Sequence, residues 1–439
     1  MITIPKHCRP LIYLVIIMLC FFTCKEGDKM SDKTKKINVK KQGKEVTAAE
    51  ILGNPDYPAI SFGAYREKTL DIEPTLEELK DDMKLLSAMG IKLIRNYKVH
   101  LPEAENILRA ISALKKEDPS FEMYVMLGAW IDCKNAWTDM EPNHNIESES
   151  NKPQIEKAVE LTNQYPDIVK VIAVGNEAMV KWATAYYVQP DVILKWVNHL
   201  QGLKSKGKLP KDLWITSSDN FASWGGGDPL YHTEDLNKLI KAVDFISMHT
   251  YPMHDTHYNP VFWGVPEDEM ALSDEEKIKS AMLRAKNYAI SQYEGVKNYM
   301  ESLGEDKPIH IGETGWATFS NGHYGPKGSK ACDEYKEALY YEHMKDWSDE
   351  EGLSIFYFEA FNEQWKDAAN PKGSENHFGL FKINGEAKYA LWNLVDNGTF
   401  DGLTRNGNPI VKTYNGDKEA LMKQVLVPPT EAEIMANQH

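Results

Sequence analysis

From Ile60 onward the chain follows one repeating pattern. Short runs of β-branched and other apolar residues alternate with longer, charged stretches whose apolar positions recur every three or four residues. The short runs predict eight strands, at Ile60–Ala64, Ile91–Tyr97, Phe121–Gly128, Val169–Gly175, Leu213–Ser217, Val243–His249, Ile309–Gly312 and Leu353–Phe358. The stretches between them predict helices. The clearest is Pro74 to Met89, where Leu76, Leu79, Met83, Leu86 and Met89 form one apolar face. Pro74 suits the first helical turn of such a segment, and Gly90 suits the position just past its end.

Eight strand–helix units in succession predict an α/β fold of the (β/α)8 TIM-barrel type. An open, doubly wound sheet fits less well, because no GxGxxG or phosphate-loop motif follows any strand. The Gly225-Gly226-Gly227 run lacks that pattern and predicts a flexible loop. The barrel is expected over residues 51–395. Residues 396–439, rich in Pro and Gly, are expected to pack on it as a tail.

The N-terminus breaks the pattern. Lys6 and Arg9 precede the apolar run Leu11–Thr23, which is too short to span a bilayer and suits a secretion signal. Phe21-Phe22-Thr23-Cys24, followed by polar residues, resembles a bacterial lipoprotein signal over residues 1–24. That resemblance implies lipidation of Cys24 and a place in the bacterial cell envelope, at the outer membrane or cell surface. Residues 25–50, rich in Lys, read as a flexible tether. Past Cys24 the remaining thiols are Cys133 and Cys332, which make no disulfide framework or metal motif.

Charge sharpens this division. The chain carries a net −15, but residues 1–50 hold ten basic and five acidic side chains, so the body is strongly acidic. An acidic body argues against nucleic acid or another polyanion as a partner and fits a neutral or cationic small molecule, or an uncharged polymer. Eleven Trp supply both core and stacking surfaces.

In a (β/α)8 barrel the active site lies at the C-terminal ends of the strands. The polar groups predicted there are Tyr65, Arg95 with Tyr97, Trp130, Asn176-Glu177, Asp219-Asn220, His249 with Tyr251, Glu313, and Glu359 with Glu363. Two stand out, Glu177 ending the fourth strand and Glu313 ending the seventh. Glycoside hydrolysis with retention needs two carboxyl groups about 5–5.5 Å apart, one protonated and one ionised. Glutamates from these two strands can converge over the barrel axis.

The motifs around them are specific together. Gly175-Asn176-Glu177, Tyr251-Pro252, Glu313-Thr314-Gly315-Trp316, Phe361-Asn362-Glu363-Gln364-Trp365-Lys366 and Phe378–Phe381 resemble glycoside hydrolase family 17, the β-1,3-glucanase family, over about residues 57–395. The resemblance implies Glu177 as general acid/base and Glu313 as nucleophile. It implies that Asn176 donates to the sugar 2-hydroxyl, that Tyr251 orients the nucleophile, and that Glu363 and Lys366 bind sugar. His249 departs from the Asn of plant members. Tyr65, Tyr97, Trp130 and Trp316 are further candidate substrate contacts. Trp137, Trp182, Trp224, Trp263 and Trp365 also fall at or past strand ends, and Trp316 is the first choice for stacking on a glucose ring.

The function expected is endo-acting cleavage of laminarin-type β-1,3-glucan by a monomer without cofactor. A β-1,3-glucan transglycosylase and a non-catalytic glycan-binding lipoprotein are the alternatives. His249, His254, Asp255 and His257 lie close in sequence, but their spacing fits no helical ligand pair, and no metal is expected.

Overall fold

The computed structural model describes residues 46–437. The signal segment, the lipidation site Cys24 and most of the tether lie outside the described residues. Eight parallel strands close into a barrel in the order 1-8-7-6-5-4-3-2. They are Ala59–Ser61, Leu93–Arg95, Tyr124–Ala129, Val169–Asn176, Trp214–Asn220, Ile246–His249, Ile309–Thr314 and Ile355–Tyr357. Each overlaps a predicted strand, so the (β/α)8 fold stands.

Alternation along the strands explains the layering. Val125, Leu127, Ile172 and Val174 face the surrounding helices, while Met126, Val171, Ala173, Phe245 and Phe356 fill the barrel interior. On the sixth strand the inward positions climb from Phe245 through Ser247 to His249, from an apolar floor to a polar mouth. Polar interior residues near the mouth are what allow chemistry there.

The first long helix spans Leu76–Ala88, shorter than the spacing predicts. Thr75 caps it and exchanges hydrogen bonds with Glu78 in a capping box, so Pro74 lies outside the helix and not in its first turn. Gly90 takes the expected left-handed conformation, with φ +85°.

Three expectations need correction. The tether ends earlier than residue 50, because Thr47 caps a short helix, Ala48–Ile51, with Ala48 and Ile51 buried. Ile51 and Leu52 join the interior apolar cluster. Gly225–Gly227 is not a free loop. Gly225 and Gly226 lie in a tight turn, Ala222–Gly226, against Tyr299 and Val296 of the long helix Asp274–Ser302, where any Cβ would collide. Trp316 is core, as described below.

Residues of the tail contact the barrel. Phe400, Ile410 and Leu421 are buried, and the buried Arg405 donates to Asp82 of the first long helix at 3.0 Å. Its guanidinium lies 3.9 Å from the centre of the Phe361 ring. Cys133 and Cys332 are both buried and unpaired.

Candidate active site

The two glutamates leave their strands where the ladder register slips. Strand 4 slips against strand 5 between Ala173 and Asn176, and strand 7 slips against strand 6 between Ile311 and Glu313. Such irregularities re-aim side chains at barrel rims. Gly175 has φ +82° and Glu177 itself φ +45°, a backbone region that residues other than glycine seldom occupy. The Glu177 amide is held by the Ser218 carbonyl at 3.0 Å. On strand 7, Gly312 is required because a Cβ would overlap the hydroxyls of Ser218 and Ser247.

These distortions bring both carboxyls to one histidine. His249 Nδ1 lies 3.2 Å from Glu177 Oε1 and 3.6 Å from Glu313 Oε2. The two contacts together cap the separation of those oxygens at about 6.8 Å, which excludes most of the range used for inversion. The other ring nitrogen, Nε2, meets Ser218 Oγ at 2.8 Å and Arg95 Nη1 at 3.3 Å. Arginine only donates, so it favours Nε2 as acceptor and leaves the proton on Nδ1, facing the carboxylates.

Glu313 is built to stay ionised. Arg95 Nη1 donates to its Oε1 at 2.8 Å, and the Tyr251 hydroxyl donates to Oε2 at 2.8 Å. Burial pushes the Glu313 carboxyl up, but the neighbouring His249, the Arg95 guanidinium and the Tyr251 hydroxyl outweigh it and hold it below the usual carboxylate range. Arg95 is itself buried, lies over the Tyr97 ring at 4.6 Å, and donates to Asn176 Oδ1. That bond fixes the Asn176 amide with its NH2 group free for a substrate hydroxyl.

Beside strand 8, Lys366 joins Glu359 at 2.5 Å and Glu363 at 2.8 Å. Burial, reinforced by the Glu363 charge, drives Glu359 well above the usual range despite Lys366. Glu363, though buried, is held low by Lys366 and by hydrogen bonds from Glu359 and Trp365. The two carboxyls therefore titrate as a pair, with Glu359 displaced upward and Glu363 downward. Tyr65 is buried with its ring edge toward Trp365 at 6.4 Å, and its hydroxyl has no partner among the described residues.

The structure thus brings together Glu177, Glu313, Asn176, Tyr97 and Tyr251, with Glu363, Lys366 and Tyr65 grouped at the last strand. It does not bring Trp316. That ring is fully buried between Trp263 and Tyr340, and its N–H donates to the Ala331 carbonyl at 2.8 Å. Gly315 packs so close to the Phe358 carbonyl that no Cβ fits there, and the indole of the next residue enters the core. Trp130 is partly buried, and its N–H donates to Asp132 at 2.7 Å. The histidine group also divides. His254 stacks on Tyr251 at 5.0 Å and His257 on His323 at 4.0 Å, and among the described residues no group of side chains could hold a metal ion.

Three residues acquire roles that position along a strand alone did not assign. Arg95 clamps the nucleophile, His249 joins the two carboxyls, and Asp219 orders the turn after Glu177 by accepting from the Met179 amide at 2.7 Å. Burial pushes Asp219 up to about 7. All three are charged or ionisable residues on short strands whose inward neighbours are apolar or small, and that is the signal that could have found them.

Residues 59–379 match the family described as the BtgE/BtgC glycoside hydrolase domain. The chain is 24% identical over 351 residues to a probable glucan endo-1,3-beta-glucosidase, btgC, of Aspergillus clavatus, covering 75% of this chain and 42% of that protein. It is 26% identical over 229 residues to a glucan 1,3-beta-glucosidase of Schizosaccharomyces pombe, covering 51% of this chain and 58% of that one. The chain therefore spans about half the length of the curated relatives it matches. Among solved structures, an endo-laminarinase from Formosa Hel1_33_131 is 66% identical, with 88% of this chain and 98% of that chain covered and a TM-score of 0.88. A β-1,3-glucanosyltransferase from Rhizomucor miehei, 18% identical with a TM-score of 0.52 over 76% of this chain and 96% of its own, shares the fold.

Proposed function

The chain belongs to the BtgE/BtgC glycoside hydrolase family, and on that premise we propose that it is a retaining, endo-acting β-1,3-glucan hydrolase of laminarin-type substrates. The observation that carries the reading is the single His249 N–H that faces both Glu177 and Glu313. It brings both carboxyls within reach of the same glycosidic bond. Similarity to the Formosa endo-laminarinase supports both the linkage and the endo mode.

The chemistry follows from the side chains. An oxygen of Glu313 attacks the anomeric carbon while Glu177 gives its proton to the glycosidic oxygen, and the C–O bond to the leaving sugar breaks. Forming the ester removes a negative charge beside Glu177, which then takes a proton from water as that water cleaves the ester. The free NH2 of Asn176 binds the sugar 2-hydroxyl, a bond that tightens as positive charge builds at the ring. Arg95 and Tyr251 hold the leaving carboxylate in the second step.

Replacing Glu313 by Ala is expected to lower the release of reducing sugar from laminarin by at least roughly a thousandfold. Azide should then rescue turnover of an activated β-glucoside and give the α-glycosyl azide. Full activity in that variant would overturn the assignment. Products longer than a short β-1,3-glucan substrate would show capture of the ester by a sugar hydroxyl, and hence transfer.

We further propose that residues 1–24 act as a lipoprotein signal and that Cys24 carries the lipid. Expressed in a Gram-negative host, the Cys24→Ser variant should move from the membrane fraction to the soluble fraction. Unchanged fractionation would refute the anchor.

A further inference from the structure

Among the aromatic residues at the barrel mouth, one group is built outward. A hairpin of Cys133–Lys134 and Asn143–Glu147 follows strand 3 and carries Trp137 in its turn. The Trp137 ring is 62% exposed, yet it is not loose. One side stacks on Tyr186 at 4.9 Å with the planes 21° apart. Its N–H donates to Asp132 Oδ1 at 3.1 Å, and the same oxygen takes the Trp130 N–H at 2.7 Å. The hairpin is docked on the loop after strand 4. The Cys133 amide donates to the Tyr186 carbonyl at 3.0 Å, His144 stacks on Tyr187 at 3.6 Å, and Trp196 donates to Glu147 at 2.7 Å.

The backbone at Trp137 lies in the left-handed region, with φ +61°. A bulky side chain there is strained, and the fold does not recover that cost by burying the ring. A strained, tethered and water-facing indole suits a ligand surface better than a core.

We propose that the open face of Trp137, backed by Tyr186, is a glucose-binding subsite on the leaving-group side of Glu177. It would hold the outgoing arm of a β-1,3-glucan chain. The inference rests on the β-1,3-glucanase reading above. The side follows from the chemistry. Glu177 protonates the oxygen that departs with the leaving sugar, and Tyr186 belongs to the loop that Glu177 begins. Tyr186 touches both indoles, with its ring 5.7 Å from that of Trp130 and 4.9 Å from that of Trp137, and its phenol is raised first by burial and then by the charge of Glu177. The opposite flank belongs to Glu363, Lys366 and Trp365, and the Lys366 charge is felt at Glu313. Pyranose rings present flat C–H faces to an indole, so an uncharged glucan fits a surface that carries little charge of its own.

The test is a kinetic series on β-1,3-gluco-oligosaccharides of increasing length and on laminarin. Wild-type release of reducing sugar checks the glucanase reading separately, since its absence would fail that reading and not this one. Trp137→Ala is expected to raise KM about tenfold on chains long enough to pass the leaving-group site, with a smaller change in kcat and a narrower gap on the shortest substrates. Trp137→Phe should restore most of the lost affinity. Wild-type KM at every length in Trp137→Ala would overturn the subsite. So would an equal loss at all lengths that Trp137→Phe does not relieve.

Discussion

Two groups of tryptophan flank the same barrel mouth and behave in opposite ways. Trp224, Trp263 and Trp316, past strands 5 to 7, are fully buried. Each gives its indole N–H to a backbone carbonyl, of Ser247, Ser329 and Ala331 respectively, at 2.7–3.0 Å. Trp130 and Trp137, past strand 3, give theirs to the carboxylate of Asp132 and leave ring surface uncovered. A carbonyl partner lies inside the fold and draws the indole in. A side-chain carboxylate at the rim holds the ring by its edge and leaves a face for something else. Among these five rings the partner of the N–H therefore separates a strut from a platform, where distance from a strand end does not.

The largest effect that would break this contrast is on stability. Trp316→Ala should cost about 3–5 kcal/mol, as other large-to-small changes at buried aromatic positions do. Thermal unfolding measures it. A variant that melts like wild type but loses affinity for glucan would make Trp316 a sugar contact after all.

Trp137→Ala, by contrast, should change stability by no more than about 0.5 kcal/mol, the usual range for exposed sites. The same melting experiment compares the two directly, and a large drop would turn Trp137 into a structural residue.

The smallest effect concerns the tether. Burial raises the Asp132 carboxyl, against the pull of the two indole N–H groups and Lys98. It therefore takes up its proton at a higher pH than an ordinary aspartate. Protonation weakens its hold on both indoles, so KM on long glucan should rise on acidification. Asp132→Asn, which keeps the acceptor oxygen without the charge, should raise KM by about twofold at neutral pH and flatten the acid rise. An unchanged acid rise in that variant would assign it to another group.

Much of the fold was legible because each strand is a short apolar run, and a parallel barrel buries both faces of its strands. Glu177 and Glu313 were legible because a carboxylate closing such a run has little to do inside a core. Trp316 was misread because an indole two residues past a strand end reads the same whether it turns in or out. Its inward place is set by Trp263, Tyr340 and the Ala331 carbonyl, all distant from the strand end itself. The Gly225–Gly227 run was misread for a related reason, since its packing partners, Tyr299 and Val296, lie on a distant helix. The roles of Arg95 and His249 depend on side chains reaching across the barrel, to strands 7 and 4, which periodicity along one strand does not register.

The uncovered indoles have an optical consequence. Tryptophan shielded from water emits toward the blue, and tryptophan in water emits toward the red and is dimmed by dissolved quenchers. Trp224, Trp263 and Trp316 fall in the first class, and Trp137 and Trp182, at 62% and 63% exposure, in the second. The red edge of this protein's own fluorescence thus comes largely from rings at the mouth of the barrel. A sugar chain laid across Trp137 would shade that edge while the blue emission held steady, giving a dye-free gauge of substrate contact.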